Sequence, residues 1–90
     1  MKNDSETARQ VMDALRLAQH EPPQKALPIL NALVGHVRGD PQLSLEVEET
    51  RSSAFLAICQ VGKALHSGQP ADGLWRAAIR ATERWMSLVG

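Results

Sequence analysis

Few side chains in this sequence could ligate a metal or attack a substrate: three histidines (His20, His36 and His66), one cysteine (Cys59), and scattered serines and carboxylates. Cys59 and His66 are seven residues apart. On one helix they share a face but lie roughly 10 Å apart along its axis, beyond the reach of a common zinc ion. Each histidine falls in or beside the last turn of a predicted helix, where a polar or cationic ring complements the negative end of the helix dipole. Cys59 lies within Ala57-Ile58-Cys59-Gln60-Val61, an apolar setting that suits buried packing rather than an activated thiolate. Ser52-Ser53 and Ser67 lack a nucleophile elbow, and Gly62, Gly68 and Gly73 are too scattered to form a phosphate loop or a dinucleotide fingerprint. His36 and Asp40 are four apart but straddle a helix end, which fits a dipole partner and a cap better than a base and its orienter. The expectation is a chain with no catalytic residues, no metal site and no cofactor, and hence not an enzyme.

Charge is more patterned than nucleophiles are. Arg76, Arg80 and Arg84 recur every fourth residue and form a basic ridge on one predicted helix, with Glu83 the one acid among them. Like charges at this spacing repel slightly unless something compensates them. Glu46, Glu48 and Glu49 lack the glycine-containing pattern of a calcium loop and read as the solvated acidic start of the preceding helix. Beside the ridge, steps of about 100° per residue group Trp75, Ile79 and Met86 on one flank, away from the centre of a face built by Leu74, Ala78, Ala81, Trp85 and Leu88. The apolar arc is wider than a surface helix of a small monomer needs, and tryptophan beside arginine is the usual composition of an interface hot spot.

The elements that must position these groups follow from apolar spacing and from the punctuation between them. Four helices are predicted. The first runs from about Ser5 to His20, with Ala8, Val11, Met12, Leu15 and Ala18 on one stripe, and stops at Glu21-Pro22-Pro23. The second, about Gln24 to Arg38, turns Ile29, Leu30, Leu33, Val34 and Val37 to the core, and Pro28 is either its first-turn residue or a kink. Gly39-Asp40-Pro41 and Gly68-Gln69-Pro70 each combine a helix stop with a restart. Between them the third helix ends near His66, with Val47, Ala54, Ile58, Val61 and Leu65 on one face. Phe55, Leu56 and Cys59 make its second half apolar nearly all round, which suggests the central element. The fourth runs from about Asp72 to Val89. Residues 43–48 alternate apolar and polar like a half-buried strand. Since no partner strand exists, they are read as the opening of the third helix, with an extended arm as the alternative.

The 90 residues set a single helical domain spanning 1–90, all-α, as a compact four-helix bundle or two stacked helical hairpins. Hairpin stacking is suggested by the echo of Val34-Gly35-His36 in Val61-Gly62-Lys63. Residues 65–81, with Gly68, Leu74, Ala78 and Ala81, loosely resemble the second half of a tetratricopeptide-type hairpin, although the aromatic and glycine spacing of that family is missing. The resemblance implies a pair of helices packed as a hairpin.

Ten Lys+Arg balance ten Asp+Glu, which removes the basic excess that nonspecific nucleic-acid binding or an anionic membrane would favour. Met1 to Gln10 lacks the apolar core of a secretory signal, and the longest apolar run, Ala54 to Cys59, is far short of a membrane span. With one cysteine and no internal disulfide, a cytoplasmic setting is expected. Arginine over lysine and abundant alanine suggest a GC-rich bacterial or phage genome. The expected function is a protein-binding module that occupies a partner surface, as a small inhibitor, regulator, adaptor or co-chaperone. Trp75, Ile79 and Met86 would enter a partner groove, and Arg76, Arg80 and Arg84 would meet acids at its rim. A homodimer is a second way to cover the apolar arc. The alternative is a small DNA-binding regulator with a helix-turn-helix unit around Gly39-Asp40-Pro41 and the arginine ridge on phosphates, which the glutamates at the start of the third helix would oppose.

Overall fold

A computed structural model describes residues 4–37 and 44–89. Four helices follow one another: α1 (Asp4–Gln19), α2 (Pro23–His36), α3 (Leu45–His66) and α4 (Asp72–Val89). Each packs against two others in a ring, α1 on α2, α2 on α3, α3 on α4 and α4 on α1, and neither diagonal pair touches among the described residues. This is an all-α four-helix bundle, with one core in the middle of the ring.

The ends of the helices are set by local chemistry. Pro23 occupies the first turn of α2, where its missing N–H costs nothing, and the Pro22 carbonyl accepts from Lys25 and Ala26, both at 2.9 Å. The helix then continues through Pro28, which only forgoes the bond its absent N–H would have made to Gln24. At the start of α3 the Ser44 hydroxyl accepts from the Val47 N–H at 3.3 Å, a cap worth about 1 kcal/mol. Residues 45–48 are therefore helical rather than an extended arm. Leu43 and the Gly39-Asp40-Pro41 turn lie outside the described residues. At the other end of α3, Gly68 adopts φ 71°. Its N–H reaches the Leu65 carbonyl at 3.2 Å and the Gln69 N–H reaches that of Ala64 at 2.8 Å, the paired bonds of a Schellman stop that favours glycine. The stop in the Gly68-Gln69-Pro70 signal is thus present, but the restart is displaced: α4 begins at Asp72, so Pro70 is not its first residue.

The core confirms the stripe of α1 in full: Ala8, Val11, Met12, Leu15 and Ala18 are all buried. On α2, Leu30, Leu33 and Val37 are buried together with Ala26, while Ile29 and Val34 are half-buried at the edge. Ala54, Ile58 and Val61 carry the centre of α3, and Val47 and Leu65 flank it. The expectation that α3 is the central element fails. It touches only α2 and α4, and Leu56 is 58% exposed on its outer side. A helix in a four-membered ring buries one stripe, however apolar the rest of its circumference is.

On α4 the buried line is Trp75, Ala78, Thr82 and Trp85, rotated from the expected face. Leu74 and Ala81 are half-buried, and Leu88 is 41% exposed. The reason is Thr82, a residue that polarity alone assigns to the surface. Its hydroxyl donates to the Ala78 carbonyl at 2.9 Å, so it enters the core with its polar atom satisfied.

Candidate functional site

The helix that buries Trp75, Ala78, Thr82 and Trp85 must show its opposite side to solvent, and that side carries Arg76, Arg80 and Arg84, all exposed. Four residues at 1.5 Å rise separate successive arginines by about 6 Å along the axis. Among the described residues none of the three takes part in an ion pair. The basic ridge anticipated from spacing is therefore an open row of guanidinium groups.

Its expected apolar companions are not brought to the surface with it. Trp75 is 6% exposed and belongs to the core, and Ile79 and Met86 are half-buried and packed against that core. Inserting Trp75 into a partner groove would require removing it from its own fold. The wide apolar arc of α4 is used up inside the ring, because α4 has a neighbour on each side, α1 and α3. Large apolar side chains do remain exposed: Leu88 near the end of α4, close to Arg84, and, on other helices, Leu45 at the start of α3, Leu56 at its middle and Leu17 on α1.

Beside the ridge, α3 and α4 leave an open groove of about 430 Å³. The first half of α3 contributes Glu46, Glu49, Thr50 and Ser53, and the second half of α4 contributes Ala81, Arg84, Ser87 and Leu88. The three hydroxyls are already engaged with their own helices. Thr50 donates to the Glu46 carbonyl at 2.8 Å, Ser53 to that of Glu49 at 3.0 Å, and Ser87 to that of Arg84 at 2.8 Å. What the groove offers a ligand is two carboxylates facing one guanidinium, with Leu88 at the rim. That arrangement can bind charged surface groups, and it contains no nucleophile paired with a base.

A second groove, about 420 Å³ between α2 and α3, holds Cys59, Lys63 and His66 against Leu27, Leu30 and Val34. Cys59 is a free, half-buried thiol. Sharing a groove does not overcome the seven-residue separation along α3, which keeps thiol and imidazole beyond hydrogen-bond reach. No group of three or more histidine, cysteine or acidic side chains suited to a metal occurs among the described residues. His20 follows the end of α1 and His66 closes α3, as helix-end residues, while the side chain of His36 lies outside the described residues. No helix among the described residues is long and apolar enough to cross a membrane.

One polar cluster was not anticipated. Arg51 donates through Nε and one terminal nitrogen to both oxygens of Glu48, at 3.1 and 2.9 Å, and through its other terminal nitrogen to the Val37 carbonyl at 2.9 Å. It holds α3 to the C-terminal end of α2. The spacing of Glu48 and Arg51 could have signalled the ion pair, but nothing in the sequence pointed to Val37.

No family model, curated protein or solved structure matches this chain. The partial likeness of residues 65–81 to a tetratricopeptide hairpin is therefore carried by no family match, and the reading of function rests on the surface just described.

Proposed function

We propose that this chain is a non-enzymatic protein-binding module that acts by occupying a partner's surface, through the outer face of α4, in the cytoplasm of a bacterial or phage-infected cell. The guises open to it are a small inhibitor or regulator, an adaptor and a co-chaperone. The observation that supports the reading is the ridge itself: three exposed arginines at one-turn spacing, none of which forms an intramolecular ion pair among the described residues. An acidic partner surface would relieve their mutual repulsion and gain charge-assisted hydrogen bonds. The partner's acids sit over Arg76 and Arg80, and its apolar contacts come from the rim around Leu88 rather than from Trp75.

A nucleic-acid partner is the poorer fit. Phosphates approaching Arg84 would also approach Glu46 and Glu49, which line the same groove, and the chain has no basic excess to offset them.

Affinity purification from the cell of origin tests this with Arg76→Glu plus Arg80→Glu. Both positions are exposed, so the fold should be within about 0.5 kcal/mol of wild type. The expected result is at least a tenfold loss of the co-purifying protein at unchanged circular dichroism. Undiminished recovery of the same partner by the folded double variant would refute the assignment of the ridge.

A further inference from the structure

We infer that the α3–α4 face pairs with a second copy of this chain about a twofold axis parallel to the two helices. This goes beyond the proposed function and does not depend on it. The groove places Glu46 and Glu49 of α3 level with Arg84 and Leu88 of α4, and Leu45 immediately precedes that acidic pair. The face thus shows two carboxylates of α3 beside one guanidinium of α4. An occupant complementary to it must carry bases opposite α3 and acids opposite α4, side by side and in the same register. The face is its own complement, as an isologous interface requires.

The symmetry fixes which residues meet. Rotation about an axis parallel to the helices lays α3 of one copy over α4 of the other and keeps every residue at its own level. Arg84 then faces Glu49 of the second copy, and Leu88 faces Leu45 of the second copy, each contact occurring twice. Leu45, Leu56 and Leu88, three of the four large apolar side chains exposed among the described residues, lie on these two helices and supply the contact that surface charges alone cannot. Principal extents of 37 × 22 × 18 Å make a long side of the bundle comparable with the roughly 800 Å² per partner of a standard interface. The equal numbers of basic and acidic residues leave no net charge to hold two copies apart. Arg76, at the far end of the ridge, stays at the rim of this dimer.

Analytical ultracentrifugation of the purified chain at about 5 to 500 µM should show the 9.8 kDa species converting to a dimer and no further. Arg84→Glu and Glu49→Arg are each expected to weaken the dimer at least tenfold, because each creates like-charge pairs across the axis. Mixing the two variants in equal amounts should restore a dimer, since each interface contact is then again an acid facing a base. Circular dichroism confirms that both variants fold. A wild-type chain that stays monomeric over this range overturns the inference. So does a dimer indifferent to both substitutions, a mixture that fails to associate, or assembly beyond two copies. A dimer would take Arg84 and Leu88 away from a foreign partner, and the foreign-partner reading is then decided separately by the Arg76→Glu plus Arg80→Glu variant.

Discussion

Replacing Trp75 with alanine is expected to cost about 3–5 kcal/mol, a large part of the roughly 5–15 kcal/mol that holds a domain of this size together. Trp85→Ala, at 0% exposure, should cost as much. Both indoles sit in the single core of the ring, where the four helices leave no second layer to close a cavity of that size. Urea titration followed by circular dichroism would show the midpoint falling steeply or the variant already unfolded in buffer. Arg80→Ala on the outer face of the same helix should move the midpoint by less than about 0.5 kcal/mol. The contrast separates a core role for Trp75 from a docking role. A Trp75→Ala chain as stable as wild type would mean that the indole is not a core residue and would return it to the interaction surface.

Arg51→Ala is expected to cost about 2 kcal/mol. The ion pair with Glu48 alone would be worth little, since Glu48 retains 27% of its side-chain exposure and solvent screens it. The larger part comes from the Val37 carbonyl, at the C-terminal cap of α2, which loses a charged donor at 2.9 Å. Arg51→Lys should recover less than half, because an ammonium group cannot reach two carboxylate oxygens and a carbonyl in the fixed fork of a guanidinium. Hydrogen exchange should rise in the last turn of α2 before it rises elsewhere. A loss below about 0.5 kcal/mol would mean that the clamp is an incidental surface contact.

The sequence was most informative where one periodicity met no competitor. The stripe of α1 is buried residue for residue, and the glycine and proline punctuation located α4 to within its first turn. It was least informative on α4 itself, and for two reasons. Thr82 is polar by composition but satisfies its hydroxyl within the helix, so the buried line could not be placed by hydrophobicity. The width of the apolar arc gave the number of surfaces α4 covers but not their identity, and both α1 and α3 are neighbours within the chain. The docking role expected of Trp75, Ile79 and Met86 rested on leaving one of those surfaces for another protein. The arginine ridge escaped this ambiguity because charges at one-turn spacing opposite any buried line must face solvent. Arg51 illustrates a limit of a different kind, since its bond to Val37 joins residues fourteen apart through a tertiary arrangement that no local pattern encodes.

The outer face of α4 as a contact surface is tested most directly by a photo-crosslinking amino acid at position 80 in the cell of origin, with the same group at Gln24 as control. Gln24 is exposed on α2, a helix that α4 does not touch. A discrete adduct from position 80, absent from position 24, is the expected result. Its mass then tells a foreign protein from a second copy. No adduct at position 80 under conditions where the protein accumulates normally, or an identical set of adducts from both positions, would contradict a function exercised through this face.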